Sequence, residues 1–357
     1  MPSEASSQGE RDHTVERIGY TDALHDQPAN LELARQTISR ALAEAPVVPW
    51  KPGETVAIVA MGASSHSAHA LAFALSAAGV RASVLTASDV ELFAAAGQPA
   101  DHYVLVSESG RSPEPIAAAE RFTVGRRIGI TNVADSPLSN VVDVVVPLGG
   151  FDDSGVYTIG YTSTLLAYSL LMRSAGLAPE GDPEAVPRLV EAALSDFDPL
   201  ARAFADGLAD AEAVDFVGRG MSLAAASEGA LVFREALALP TAAFDTYQYL
   251  HGPMEGLRAG SGLVVFGDER ELTMVDSVLD AGVKVCLVTA RGKEELARGD
   301  HDGLTVVTLP SEARGFARSI VEVLIPQLVA EHRAEAIGRV PGRTFHFHQD
   351  DTKLPVG

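Results

Sequence analysis

Short apolar, β-rich runs alternate with stretches in which apolar positions return every three or four residues, and this alternation organises most of the chain. From residue 55 the order is "TVAIVAM", a helical stretch from about Ser65, "RASVLTA", a short helix, "HYVLVS", a helix, "RRIGIT", "NVVDVVVPL" and the helical "TSTLLAYSLLMRSAG". Runs that stay apolar throughout read as strands buried on both faces, and a helix between successive strands is the crossover that parallel pairing requires. Residues 56 to about 176 are therefore expected to form a doubly wound α/β domain. The residues before Asp22 are polar and predict disorder at their start, "DALHDQPANLELARQTISRALAEA" carries helical spacing, and "PVVPWKPGE" breaks the chain before the first strand.

After the helical stretch "DPEAVPRLVEAALSDFDPLARAFADGLADA" the pattern restarts with "VDFVGRG", a helix from about Ala224, "GSGLVVFG", a helix, "VKVCLVTA" and "LTVVTLP". Gly62 and Gly218, both read as strand-to-helix glycines, lie close to half the chain apart, which points to two α/β domains of one type in tandem. The expected division is an N-terminal polar segment and helix over 1–50, a first domain over 51–180, a helical linker over 181–212, a second domain over 213–335 and a C-terminal tail over 336–357.

Composition narrows the partners. The 357 residues are 46% hydrophobic, enough for a large core. The net charge of -21 repels nucleic-acid backbones and anionic membranes alike, so an anionic ligand has to be held by local groups. Cys286 is the single cysteine and sits in an apolar run, which excludes an internal disulfide or a cysteine-based metal site. No stretch approaches a membrane span and no secretory leader is visible, so a cytoplasmic protein is expected.

The stretch "VSESGRSPEP" leaves a buried strand through Ser107, Glu108, Ser109, Gly110 and Ser112 before a helix begins. In an open α/β sheet, ligands collect at the carboxyl ends of strands, where helix N-termini present unpaired amides. "GASS" ends an earlier strand and turns Ser64 and Ser65 toward the same rim. Together the two turns describe a phosphate site built from hydroxyls and amides, with Gly110 allowing close approach; either turn alone reads equally well as helix capping.

These motifs, followed by "ITNVADSPLSNVVDVVVPL" and "GRGMSLAAASEGALVFREALALP...YLHGP", resemble the sugar isomerase (SIS) domain family. The likeness is strongest to the tandem isomerase half of glucosamine-6-phosphate synthase and to stand-alone amino-sugar phosphate isomerase/deaminases and fructosamine-6-phosphate deglycases. It implies that Ser64, Ser107, Ser109 and Ser112 hold the phosphate of a ketose or ketosamine phosphate. Ala63 stands where the family often has Thr, and Glu108 replaces the usual Gln. Val156 and Thr158 of "GVYTIG" are placed at the sugar. Glu235 takes the position of the base that moves a proton between C1 and C2, with Glu228 two turns earlier on nearly the same face; His251 matches the ring-opening histidine, which in relatives often reaches the neighbouring subunit.

Only four lysines occur, Lys51, Lys284, Lys293 and Lys353, and Lys353 falls where the family's tail brings a lysine to the sugar carbonyl. Val232 replaces a further family lysine, which argues against the synthase's own isomerisation and leaves deaminase, deglycase or altered isomerase open. Read without the resemblance, Glu235 is an ordinary helix-surface carboxylate and Lys353 a frayed terminus. His346 and His348 lack a third metal ligand. No cofactor and no metal are expected, and a homodimer with shared sites is. The second half has "DERE" in place of a serine turn, so one phosphate site per chain follows. With no glutaminase segment ahead of the tandem, glutamine-derived ammonia is not expected. Against the enzyme stands a non-catalytic sugar-phosphate regulator, disfavoured because residues 1 to 50 offer one amphipathic helix rather than a helix-turn-helix.

Overall fold

The computed structural model describes residues 17–93 and 97–342. In chain order these form α1 (Tyr20–His25), α2 (Gln27–Glu44), β1 (Thr55–Ala60), α3 (Gly62–Ala77), β2 (Arg81–Thr86), α4 (Val90–Phe93), β3 (His102–Val106), α5 (Pro113–Arg121), β4 (Arg127–Thr131), β5 (Val144–Pro147) and α6 (Ile159–Ser174). There follow α7 (Val186–Gly207), β6 (Val214–Gly218), α8 (Ser222–Leu237), β7 (Thr241–Asp245), α9 (Thr246–Leu250), β8 (Gly262–Phe266), α10 (Arg270–Leu279), β9 (Lys284–Thr289), β10 (Leu304–Thr308) and α11 (Phe316–Ala336).

The strands make two five-stranded parallel sheets, ordered β2-β1-β3-β4-β5 and β10-β9-β8-β6-β7. Taken from each sheet's first strand, the order is the same in both. The repeat seen in the sequence is thus a repeat of topology. The glycines used to detect it are not equivalent, however: Gly62 opens α3, whereas Gly218 closes β6, and the counterpart of α3 begins at Ser222.

Why the strands read as unbroken apolar runs is visible in the packing. Val56, Ile58 and Ala60 of β1 face a large core that continues through both lobes, while Ala57 and Val59 face a separate cluster with Tyr103, Leu105, Ile116 and Phe122. The second sheet repeats the division, with Val264 and Phe266 turned to the shared core and Leu263 and Val265 to an outer cluster with Met274 and Val275. Alternate residues go to opposite faces, and both faces are dry.

Between the sheets lies a helical layer in which α11 packs on α7 and α8, α2 on α6, and α3 on α8. α7, in the stretch read as a linker, places Leu189, Val190, Phe197 and Phe204 in this core. A buried polar chain crosses the layer, with Thr162 donating to Gln27 (2.8 Å) and Gln27 to Gln327 (3.0 Å). The sequence reading omitted β7 and α11. β7 is a short Ala-rich strand after Pro240, and α11 is buried nearly all round and carries Pro326, so neither shows a clean period.

α8 carries the second lobe's share of the candidate site and is seated closely. A methyl at Gly229 would come within 2.7 Å of the Phe216 ring and 3.1 Å of Pro326, and Phe216 is itself locked edge-on against Phe233 with ring centroids 5.0 Å apart. Replacing a helical Gly by Ala ordinarily gains about 1 kcal/mol, but overpacking a rigid ring costs about 1–3 kcal/mol. Gly229→Ala is therefore expected to lower stability by roughly 1 kcal/mol in urea unfolding; a rise in stability would show that α8 has room to move.

Candidate active site

In the first sheet β1 connects outward to β2 on one side while β3 begins the run on the other, so the strand order reverses between β1 and β3. Crevices open at such points, beyond the strands' carboxyl ends. Here β1 delivers Met61 and the start of α3, and β3 delivers Ser107 to Ser112. The serine turn is held from its backbone: Gly110 N–H donates to Ser107 O (3.0 Å), Asn132 N–H to Glu108 O (2.8 Å) and Leu138 N–H to Gly110 O (3.0 Å). Gly110 has φ +64°, and a Cβ there would lie 2.1 Å from Ser136 Oγ, so glycine is required by the turn itself.

The hydroxyls are not consumed in capping. Neither α3, with Met61 at its N-cap, nor α5, with Ser112 there, receives a side-chain capping bond. Ser107 Oγ instead donates to Ser112 Oγ (3.1 Å), and Ser109 Oγ accepts the Arg111 amide (3.3 Å). The start of α3 receives no side-chain cap, whereas α5 opens on Pro113 and Pro115, which have no N–H, so Glu114 is the amide its first three residues can offer.

A cavity of about 220 Å³ joins these parts. Ser64, Ser107, Glu108, Ser109 and Ser112 line it from the first lobe, Tyr157, Tyr161 and Thr164 from α6 and the turn before it, and Glu228 and Glu235 from α8. Phosphate turn and proposed base therefore face one space, although they come from different halves of the chain. Ser65, Gly110, Val156, Thr158 and His251 were expected at the site and do not line this cavity. Val156 is buried in the shared core. The Thr158 hydroxyl donates to Asp153 (3.1 Å), whose carboxylate also accepts the Gly160 amide (2.8 Å) at the start of α6. His251 is exposed at the end of α9. Lys353, His346 and His348 lie outside the described residues.

Sequence reasoning missed Tyr157, Tyr161 and Thr164, which no motif spacing marks. Glu228 was visible only as a face-mate of Glu235. It is buried, and its Oε2 lies 3.1 Å from Nδ1 of His66 on α3, so the pair ties the lobes across the cavity. Val232 is fully buried in the core.

No Lys or Arg lines the cavity among the described residues. The carboxylates feel this. Burial, and then the charge of Glu228, push Glu235 up to about 8, with only Arg17 opposing. Burial also raises Glu228, against the hydrogen bond from His66. Asp153 is raised to about 6 by burial, opposed by the amides of Gly160, Ser154 and Thr158. A carboxyl poised near neutrality can both take and return a proton, as an enolising base must. Away from the cavity, Asp198, Glu331 and His332 cluster between α7 and α11, with His332 Nε2 2.7 Å from Asp198. No described helix is long and apolar enough to cross a membrane.

Comparison with known proteins follows the same lines. Residues 207–330 match the SIS domain. The chain is 27% identical over 307 residues to the isomerising glutamine–fructose-6-phosphate aminotransferase of Bradyrhizobium diazoefficiens, covering 80% of this chain and 50% of that protein. It thus spans about half the length of the curated relatives it matches. The C-terminal domain of glucosamine-fructose-6-phosphate aminotransferase from Francisella tularensis superimposes with a TM-score of 0.72 at 20% identity, covering 94% of this chain and 99% of that one. Glucosamine-6-phosphate deaminase from Thermotoga maritima gives 0.73 at 19% identity, covering 92% and 98%. The resemblance to the SIS family holds, and the fold is the one these structures share.

Because Glu235 ionises near 4.5 when unfolded and near 8 when folded, rising pH between those values favours unfolding, and the penalty stays constant above about 8. Glu235→Gln removes it. The variant is expected to differ least from the wild type in unfolding free energy at pH 4 and to exceed it at pH 8.5 by on the order of 2 kcal/mol. Equal melting curves at both pH values would show that Glu235 is not buried as described.

Proposed function

We propose that the protein is a phosphosugar isomerase or deaminase that acts on a ketose or amino-sugar 6-phosphate by moving a proton between C1 and C2. The observation that carries this reading is the shared cavity, with uncapped serine turns on one wall and the raised carboxyl of Glu235 on the other. The serine hydroxyls and the first amides of α3 anchor the phosphate. Glu235 abstracts the proton from one carbon and returns it to its neighbour, and its raised affinity for the proton suits both halves of that exchange.

His251 is given the ring-opening role by resemblance. It does not line the cavity of its own chain, so in this reading it acts in the cavity of a second copy, which makes a homodimer part of the proposal. Lys353 keeps its proposed place at the sugar carbonyl on the same ground of resemblance. Val232 in place of a lysine argues against the synthase's own isomerisation and leaves deaminase, deglycase or an altered isomerase open. A sensor that only binds would have no use for a raised carboxyl facing the ligand, and this counts against the regulator.

The test is an assay of ammonia or amine release and of aldose–ketose interconversion over a panel of amino-sugar and ketose 6-phosphates. Glu235→Gln is expected to lower turnover at least ~100-fold while leaving phosphate affinity intact. Ser109→Ala is expected to weaken binding about tenfold, the loss of one charge-assisted hydrogen bond. Undiminished turnover in Glu235→Gln would remove the mechanism, and binding without turnover across the panel would move the protein to the regulator class.

A further inference from the structure

Apart from the sugar cavity, a second group of chemically active side chains gathers where α1, α7 and α11 meet. Asp198 of α7 and Glu331 and His332 of α11 bring two carboxylate oxygens and a ring nitrogen within 4.8 Å of one another. His332 Nε2 lies 2.7 Å from Asp198 Oδ1, and His25, the last residue of α1, adds a fourth donor with its Nε2 3.6 Å from Glu331 Oε2. Two imidazoles and two carboxylates thus converge from three helices that are far apart in the chain.

Ion pairing alone does not account for this arrangement. The His332 side chain is only 5% exposed, and its Nδ1 is buried without a hydrogen-bond partner among the described residues. Sinking an imidazole into a helical interface with one nitrogen unpaired is costly. A pair with Asp198, whose side chain is 41% exposed, contributes little against that cost. A cation shared by the ring and both carboxylates contributes far more, because its binding energy becomes folding energy.

The donors are also held in place and reachable. Phe197 beside Asp198, and Leu328 and Val329 just ahead of Glu331, belong to the shared core, so α7 and α11 present their ligands from rigid elements. A groove of about 810 Å³ opens on the cluster, with His25 and Asp198 in its wall. Asp26 and Glu191 line the same groove and draw cations toward it. Arg188, another lining residue, is engaged by Glu312 at 2.7 Å.

We propose that His25, Asp198, Glu331 and His332 bind a divalent transition-metal ion of the zinc type. Mixed nitrogen and oxygen donors suit zinc, whereas magnesium and calcium favour oxygen alone. The two carboxylates balance the charge of the dication. The ion fastens α1 to α7 and α11 in a part of the helical layer that does not line the sugar cavity.

Titration of zinc chloride into the full chain, first stripped with EDTA and followed by calorimetry, tests this, with magnesium chloride as the comparison. The wild type is expected to bind zinc at least ~10-fold more tightly than magnesium and to melt at a higher temperature with zinc present. Asp198→Asn and His25→Ala change partly exposed positions and leave the core packing alone. Each is expected to weaken this zinc site at least ~10-fold, while zinc held by other histidines is untouched. No zinc binding by the wild type, zinc bound no more tightly than magnesium, or zinc affinity and stoichiometry unchanged in either variant overturns the site.

Discussion

The account depends on one constraint: in a protein of net charge -21 a phosphoryl group has to be gripped mainly by dipoles, beside carboxylates, since no Lys or Arg lines the cavity among the described residues. Hydroxyls and main-chain amides can do this only if they are held in place beforehand, because each is individually weak and reorganising them would consume the binding energy. The backbone bonds that fasten the serine turn to Thr131, Asn132 and Leu138, and the left-handed Gly110 at its apex, are that preorganisation. On this account the first amides of α3, which receive no side-chain cap, are further donors.

Everything else in the molecule brings chemistry to that grip. The first lobe alone has hydroxyls and a carboxylate in its turn; the carboxyl near neutrality comes from α8, in the second lobe. The helical layer between the sheets makes the two meet, and it tolerates little slack where Gly229 lets α8 lie against Phe216 and Pro326. The His66–Glu228 contact spans the same junction. The two sheets thus share one topology but contribute different residues to the cavity. In the second lobe the corresponding strand end carries Asp268, which is paired with Arg318 at 2.5 Å and accepts from Thr289. That crevice is filled by the protein's own ions.

Much of this was legible in the sequence, for physical reasons that also explain the gaps. Strands buried on both faces leave unbroken apolar runs, so the strand framework was readable, while β7, short and alanine-rich, and α11, buried all round, carry no amphipathic period. Helix starts were placed late because Gly62 and Ser222 begin helices without a capping side chain to mark them. That Ser64, Ser107, Ser109 and Ser112 share one rim was readable because both turns follow strand ends of one sheet, and all four line the cavity. Thr158 and Val156 were carried over by motif, but the Thr158 hydroxyl is bound to Asp153 and Val156 belongs to the core. Contacts such as His66 with Glu228, 162 residues apart, have no local signature at all.

A crystal structure of the protein soaked with a phosphorylated amino sugar tests the central claim most directly. The account predicts phosphoryl oxygens within hydrogen-bonding distance of the Ser64, Ser107, Ser109 and Ser112 hydroxyls, with the sugar chain extending toward Glu235. A phosphate bound elsewhere, or held by lysine and arginine side chains with the serine turns empty, would contradict it.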